Sequence, residues 1–238
     1  MTIHYHGADI NGLGPECKTQ TLETLAGKFF CVSFAYPRQV KRCHEIGQGV
    51  MLDCGAFSFF TKGKGVDWEE YYKWIEPWLE SPTTWAVIPD VIDGAEDNNK
   101  SLVLGCKFPR HKMAPVWHLH ESLDYLRWIA DTHHRFCFGS SREYWQVGSD
   151  SWHRRISEAF EAIWDRKPWV HMLRGMQCSD MQYPFGSVDS TDIARHHHTA
   201  KNGIKRAREM ADRWDAKQCP ITFIPQPSHT LLIGEHLD

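Results

Sequence analysis

The sequence predicts an α/β protein, a compact (β/α)8 TIM-like barrel that occupies residues 1–238 as a single domain. Short β-rich runs alternate along the chain with segments of helical periodicity, a pattern typical of parallel strands joined by crossover helices. No repeat, low-complexity tract or linker marks a second domain. A doubly wound open sheet is the structural alternative, but no Gly-rich phosphate fingerprint follows the first run.

The strands are predicted from apolar runs with high β-propensity. Seven runs qualify: FFCVSFA (29–35), VMLDCG (50–55), WAVIPDV (85–91), APVWHL (114–119), RFCFGS (135–140), VHMLRGM (170–176) and FGSVDS (185–190). The candidate for a last strand is ITFI (221–224).

Helices are predicted where apolar residues recur at helical spacing between these runs. Pro77 predicts a kink in the first helix, and Ser122 can cap the second. The predicted segments are 68–79, 122–129, 152–165 and 203–217.

Composition limits the function classes. The chain has 27 basic and 30 acidic residues and a formal net charge of −3, which excludes a uniformly basic nucleic-acid coat but permits a local basic face. Eight cysteines form no CxC or CxxC pair and are expected to be reduced, mostly buried thiols. No segment reaches the ~18 uninterrupted apolar residues of a membrane span, and MTIHYHGADI is not a signal peptide. A soluble, cytoplasmic protein is expected.

Polar residues accumulate where the predicted strands end. In a parallel barrel the catalytic groups lie at the carboxyl ends of the strands. A carboxylate at the end of three separate strands would therefore converge on one mouth. The strand-end residues are Asp53, Asp90, Asp93, His118, His120, Gly139, Ser140 and Asp189.

Converging carboxylates favour two kinds of chemistry. Because like charges repel, one carboxyl group tends to hold a proton while another stays ionised. That pair suits reaction at an anomeric carbon, where one carboxylate attacks and the other group protonates the leaving group. The same acids could instead bind a metal together with the nearby histidines. Composition does not choose between these two.

Three segments resemble the tRNA-guanine transglycosylases. MLDCGAF (51–57) is similar to the family's DSGGF-type motif, and VIPDVID (87–93) resembles its second acidic segment. FGSVDST (185–191) lies where that family places its nucleophilic aspartate. Cys54 and Ala56 depart from the family's usual Ser and Gly, which leaves the pocket shape beside Asp53 open.

The similarity is closer to the short, phage-type 7-deazaguanine DNA transglycosylases. The tRNA enzymes hold a structural zinc with a CxC-x-x-C run and a distal histidine, whereas this chain has only Cys219 after Asp189. The resemblance therefore implies DNA and a 7-deazaguanine base, by default 7-cyano-7-deazaguanine, as partners. It implies no cofactor, metal or zinc-binding subdomain. The resemblance also implies that the protein is encoded by a phage and acts in the host cytoplasm. Because the related tRNA enzymes tend to dimerise, a homodimer is compatible with it.

Carried over to this sequence, the resemblance assigns the roles of two acids. Asp189 attacks C1′ of deoxyguanosine, which expels guanine and leaves a covalent sugar–enzyme ester. Asp53 is the general acid/base that protonates the departing guanine and takes a proton from the incoming base. Base exchange without strand cleavage follows.

The remaining strand-end residues are substrate-binding candidates. Asp90, and secondarily Asp93, would accept hydrogen bonds from N1–H and the exocyclic amine of the base. Gly139 and Ser140 would offer backbone N–H groups to the base carbonyl, since glycine allows close approach.

Further contacts are expected around the mouth. His118 and His120 would contact base or phosphate. Since a guanine inside a duplex cannot reach a barrel mouth, the substrate must be flipped out or single-stranded, and Phe57 is a candidate to stack on it. Phe57 could equally be a core residue.

A basic segment follows the predicted nucleophile and is a candidate phosphate-binding patch. Acidic residues are interleaved in it, so a solvated helix face is the other interpretation. The basic candidates are Arg195, Lys201, Lys205 and Arg206.

Three other functions stay open: a tRNA-guanine transglycosylase, a non-catalytic nucleic-acid binder, and a metal-dependent barrel hydrolase. The hydrolase would combine Asp189 with imidazole ligands. Candidate imidazoles are the pairs His4/His6 and His118/His120 and the run His196–His198.

Overall fold

The chain folds into a parallel α/β barrel, seen in a computed structural model that describes residues 1–10, 20–197 and 203–225. Within these ranges, nine parallel strands form one sheet in the order β5-β4-β3-β2-β1-β9-β8-β7-β6. The strands are β1 (Ile3–Gly7), β2 (Phe29–Ser33), β3 (Gly49–Asp53), β4 (Thr84–Val87), β5 (Met113–Ala114), β6 (Val116–His118), β7 (Arg135–Gly139), β8 (Trp169–Met172) and β9 (Ser187–Ser190).

The sheet is nearly closed because β5 and β6 act as one interrupted strand. Only Pro115 separates them, and proline has no backbone N–H for a strand ladder. β5 pairs with β4 on one side, and β6 pairs with β7 on the other. The Pro115 carbonyl still accepts a hydrogen bond from the Cys137 amide at 2.8 Å. The two ends of the sheet thus meet, which confirms the predicted single-domain (β/α)8-like barrel.

Helices lie between the strands and cover the outside of the barrel. The α-helices are α1 (Val40–Ile46), α2 (Ala56–Thr61), α3 (Trp68–Ile75), α4 (Glu96–Gly105), α5 (Leu123–Thr132), α6 (Asp150–Ile163), α7 (Asp192–His196) and α8 (Gly203–Asp215). Short 3-10 turns occupy Pro37–Gln39, Glu76–Trp78, Arg110–Lys112, Arg142–Tyr144, Trp164–Arg166 and Met176–Cys178.

The helix predictions are confirmed by caps and buried faces. The Ser122 hydroxyl accepts a hydrogen bond from the Tyr125 amide at 3.1 Å, as expected of an N-terminal cap. Helix α3 ends just before Pro77, and the chain continues there as a 3-10 turn. The buried face of α6 consists of Trp152, Ile156, Ala159, Phe160 and Ile163.

Aromatic side chains fill the barrel near the amino ends of the strands. The Trp85 indole N–H donates to the Tyr5 hydroxyl at 2.8 Å, and the two rings meet edge to face. The Arg135 guanidinium lies 5.1 Å from the Trp85 ring centre and 4.6 Å from that of Trp169. These contacts fill the barrel interior on the amino-end side, beneath the strand ends that carry the polar residues.

At the chain ends, one strand was missed and one predicted strand is wrong. The N-terminal strand β1 was not predicted, because His4 and His6 interrupt its apolar pattern; both are nevertheless buried. ITFI (221–224) is not a strand. Instead, Phe223 packs on the Phe160 ring at 5.6 Å, which explains the apolar character of that segment without a strand.

None of the helices in the described ranges combines the length and apolarity needed to cross a membrane.

Two buried tyrosines give a matched test of interior hydrogen bonding. Tyr5→Phe leaves the Trp85 indole N–H without its acceptor and is expected to lower the free energy of unfolding by about 1–3 kcal/mol. Tyr125→Phe is the control, because the buried Tyr125 hydroxyl makes no hydrogen bond to the described residues. It should leave stability unchanged or raise it. Thermal unfolding of both variants measures the difference, and a Tyr5 variant as stable as the control would contradict the expectation.

Candidate active site

The predicted strand-end acids do meet at the barrel mouth, the rim formed by the carboxyl ends of the strands. Asp53 is the last residue of β3, and Asp189 is the penultimate residue of β9. Asp90 follows β4 by three residues. The charges of Asp189 and Asp90 both act on Asp53, so three strands contribute to one electrostatic site.

Asp90 is buried and paired through both carboxylate oxygens. Oδ2 lies 2.9 Å from Nε2 of His118, and Oδ1 accepts a hydrogen bond from the Cys54 thiol at 3.3 Å. Burial opposes the charge on His118, but the hydrogen bond to Asp90 and its negative charge outweigh it and raise the pKa of His118. The two side chains therefore form a buried acid–imidazole pair.

A second layer of polar groups fixes this pair. The His118 backbone amide donates to Glu121 Oε2 at 2.7 Å, and Asn99 Nδ2 donates to Glu121 Oε1 at 2.7 Å. Asn99 Oδ1 in turn accepts from the amide of Val91, the residue after Asp90, at 2.7 Å. The loops that carry Asp90 and His118 are thereby tied to each other.

Gly139 and Ser140 have local reasons for their positions. A Cβ atom at Gly139 would lie 2.8 Å from Nδ1 of His118, so glycine makes room for that ring. The buried Ser140 hydroxyl accepts a hydrogen bond from the Trp152 indole N–H at 3.0 Å. The proposed donation of their backbone amides to a base remains a prediction.

Asp189 is held through one oxygen only. Oδ1 accepts a hydrogen bond from the Arg174 backbone amide at 2.6 Å and lies 3.3 Å from Nε2 of His171. The other nitrogen of His171 lies 2.6 Å from the Ser187 hydroxyl, which orients the ring. Within the described part of the chain, Oδ2 of Asp189 makes no hydrogen bond. This oxygen is free to act on a ligand.

Asp53 is the acid whose ionisation is most perturbed. Burial, helped by the charges of Asp189 and Asp90, raises the pKa of Asp53 to about 7, against hydrogen bonds from Ser33 and the Gly55 amide. Gly55 has a φ of 78°, in the left-handed region that favours glycine, and this turn aims its amide at Oδ2 at 3.1 Å. At neutral pH the Asp53 carboxyl group is therefore available both with and without its proton.

Arg174 contributes the positive charge at the mouth. Its guanidinium carbon lies 3.8 Å from the centre of the exposed Phe57 ring, and Nη2 donates to the Ser140 carbonyl at 3.2 Å. Desolvation lowers the pKa of Arg174, while the charges of the mouth carboxylates act in the opposite direction. The group stays charged, because a guanidinium is not deprotonated in proteins.

His171 and Arg174 were missed as site residues by sequence reasoning. Both belong to the run VHMLRGM, which was recognised only as a strand. The signal was available, since the rule that selected the other candidates applies to the carboxyl end of β8 as well.

His120 and Asp93 lie at the edge of the mouth. The His120 ring stacks on His118 with centroids 5.8 Å apart, and its Nδ1 lies 2.7 Å from the Ser141 hydroxyl. Partial burial lowers the pKa of His120. Asp93 is exposed, and its carbonyl oxygen accepts a hydrogen bond from Arg142 at 2.9 Å.

The predicted phosphate-binding residues are only partly described. Arg195 is exposed on α7, directly after β9, and Arg206 is half-buried on α8. Lys201 and the side chain of Lys205 lie outside the described residues. Their joint action as a patch remains a prediction.

The candidate metal ligands do not converge. His4 and His6 face α8, where their nearest ring nitrogens lie 3.7 and 3.0 Å from Asp215 Oδ1. His196 lies 2.7 Å from Asp192, and His198 is not among the described residues. In residues 1–10, 20–197 and 203–225, no three His, Cys, Asp or Glu side chains are grouped as a metal ion would require.

Fold and site together define a class: a parallel α/β barrel with three carboxylates, two partner histidines and one arginine at the mouth. The fold is common among enzymes but does not identify one. No family model matches the chain, and a search of the curated proteins finds no match either.

The raised pKa of Asp53 predicts a specific dependence of stability on pH. Because the folded-state pKa exceeds the ordinary value of 3.8, stability is lost as pH rises from about 4 to about 7. Asp53→Asn cannot ionise but keeps an oxygen for the Gly55 amide. At pH 8 its free energy of unfolding should exceed that of the wild type by at least about 1 kcal/mol, and its unfolding temperature should be higher. At pH 4, where the wild-type carboxyl group is protonated, the two proteins should unfold at about the same temperature.

Asp93→Asn is the matched control, since it removes an exposed acid from the same mouth. Thermal unfolding at both pH values measures the effect. If stability depends on pH in the same way in the wild type and in Asp53→Asn, the pKa of Asp53 is not raised in the folded protein.

Proposed function

We propose that the protein is a DNA guanine transglycosylase that exchanges guanine for a 7-deazaguanine base through a covalent Asp189–deoxyribose intermediate. The observation that carries the proposal is the pairing of two unlike acids at one mouth. Asp189 presents one free carboxylate oxygen, and Asp53 has a pKa of about 7. Such a pair suits nucleophilic attack at an anomeric carbon with proton transfer to the leaving base.

In the first step, Asp189 Oδ2 attacks C1′ of a deoxyguanosine while the C1′–N9 bond breaks. The bonding pair leaves with guanine, which takes the proton of Asp53. This converts the Asp189 carboxylate into a neutral ester and the Asp53 acid into a carboxylate. The Arg174 amide and His171 hold Oδ1, so the second oxygen keeps its direction toward the substrate.

In the second step, the Asp53 carboxylate removes the N9–H proton of the incoming 7-deazaguanine. N9 then attacks C1′, and the ester bond to Asp189 breaks. Both acids return to their starting states, and the phosphodiester bonds are untouched. A pKa near 7 lets one group serve as acid and then as base at neutral pH.

Asp90 is assigned to the edge of the guanine. Its two oxygens are held in place by Cys54 and His118, yet each retains a lone pair that can accept from N1–H or the exocyclic amine. A rigid carboxylate of this kind selects bases that donate at both positions, which adenine does not.

The choice of DNA rests on the resemblance of the PDVI (89–92), HLHES (118–122), FGSS (138–141) and GSVDST (186–191) segments to the short DNA-acting transglycosylases, together with the lack of a CxC-x-x-C run after Asp189. The site chemistry would serve a guanine in tRNA equally well. Exchange assays therefore include both polymers. The 7-cyano form of the incoming base is the default taken from the same resemblance.

The deciding experiment measures release of radiolabelled guanine from duplex DNA, single-stranded DNA and tRNA. Each reaction contains unlabelled 7-cyano-7-deazaguanine and excess chelator. Release from DNA alone supports the proposal. Release from tRNA would retain the roles of Asp53 and Asp189 but identify tRNA as the substrate. Release that the chelator abolishes would favour a metal-dependent reaction.

Asp189→Ala should lower exchange by at least roughly a thousandfold, because the nucleophile is lost. Binding of DNA, measured by fluorescence anisotropy, should be retained. Trapping of a protein–DNA adduct on denaturing gels should succeed with the wild type only. Full activity of the variant would assign the nucleophile to another residue, and Asp53 would be tested next.

Asp90→Ala should reduce discrimination between guanine-like bases and adenine by about a hundredfold or more, since the acceptor pair is lost. Asp93→Ala is the control, because that side chain is exposed at the edge of the mouth. Competition between bases in the exchange assay measures both variants. A loss of discrimination in Asp93→Ala alone would transfer the role to Asp93.

A further inference from the structure

Beside the mouth lies a row of exposed aromatic and basic side chains that the proposed chemistry does not use. We call it the α2 strip, and it consists of Tyr36, Phe57, Phe60, Lys62 and Arg174. Its three aromatic residues are 41%, 43% and 51% exposed, respectively. Large rings this exposed do not serve the core, so they are available to a binding partner.

Two pairs of side chains in the strip are in direct contact. Lys62 Nζ donates to the Tyr36 hydroxyl at 2.6 Å and lies 4.6 Å from the centre of that ring. At the other end, Arg174 stacks on Phe57 at 3.8 Å. Phe57 and Phe60 lie three residues apart on α2, so their side chains are neighbours on one helix face.

Neither cation of the strip lies in a close ion pair with a described residue, although the charges of Asp53, Asp90 and Asp189 act on Arg174. In the described part of the chain, no carboxylate forms an ion pair with Lys62 or Arg174. Two cations near α8 are paired with acids by contrast: Arg208 lies 3.1 Å from Asp212, and Lys217 lies 2.7 Å from Asp180. The strip is therefore the better match for a polyanion.

Arg174 links the strip to the reacting acids. Its backbone has a φ of 54°, a left-handed conformation that is unfavourable for arginine. In this turn its amide holds Asp189, while its side chain reaches Phe57 and the Ser140 carbonyl. One residue thus positions the reactive carboxylate and begins the basic row outside the mouth.

We infer that the α2 strip binds a single-stranded polynucleotide, with the phosphates on Lys62 and Arg174 and unpaired bases stacked on its aromatic rings. Alternating cations and exposed rings are the features that bind single strands without reading sequence. The inference rests on the proposed function, which identifies the polymer as DNA. It adds that the substrate is a single strand or a locally opened duplex.

Binding of a short oligothymidylate tests the strip separately from base exchange, because that strand contains no guanine. Lys62→Gln should weaken binding and lower the slope of log affinity against log salt by about 0.7, the value for one phosphate on a single strand. Phe60→Ala should weaken binding roughly tenfold through lost stacking. Duplex DNA should bind more weakly than the single strand.

Helix α4 supplies matched controls. Lys100 lies 5.3 Å from the Trp128 ring centre and so resembles Lys62, and Leu104 is an exposed apolar residue like Phe60. Lys100→Gln and Leu104→Ala should leave oligothymidylate binding unchanged.

Three results would overturn the inference: equal effects of strip and control variants, no binding of the single strand by the wild type, or equal affinity for duplex. Equal effects of strip and control variants would indicate that the exposed rings of the strip bind a protein instead of a polynucleotide. Failure of the proposed function looks different, because strip-dependent binding would persist without guanine exchange in any nucleic acid.

Discussion

Desolvation of three carboxylates that share one mouth, reinforced by their mutual repulsion, is the constraint to which the rest of the site responds. Each acid meets it in another way. Asp90 pairs with His118, and Asp189 receives a backbone amide and the His171 ring on one oxygen. Asp53 has no imidazole partner among the described residues, and its burial, reinforced by the charges of Asp189 and Asp90, raises its pKa to about 7. The three acids therefore occupy unequal environments at one mouth.

The barrel makes the constraint possible because it prevents the acids from moving apart. Aromatic packing around Tyr5 and Arg135 fills the interior beneath the mouth, and the interrupted strand at Pro115 joins the two ends of the sheet. Above it, Glu121 and Asn99 tie the loops that carry Asp90 and His118 to each other. Geometry at the mouth is thus set by rigid elements rather than by the loops alone.

Sequence reasoning predicted those parts of the fold whose pattern is local. Apolar runs indicated the strands, and the rule that polar residues at strand ends converge indicated Asp53, Asp90 and Asp189. Strand β1 was missed because His4 and His6 interrupt its apolar pattern. Their burial depends on α8, which lies about two hundred residues further along the chain. The roles of the Arg174 amide and of the Cys54 thiol were also out of reach. They arise from turn geometry and contacts across strands, which a pattern does not encode.

A chain with a net charge of −3 and an acidic mouth repels a polyanion unless cations stand where the polymer enters. Their placement matters more than their number, since a cation inside the mouth would suppress the raised pKa of Asp53. Arg174 stacks its guanidinium on Phe57 and contacts Asp189 only through its neutral backbone amide, although the charges of all three acids still act on the guanidinium. Lys62 continues the positive charge away from the mouth. The same turn therefore fixes the Asp189 carboxylate and places a positive charge beside the mouth.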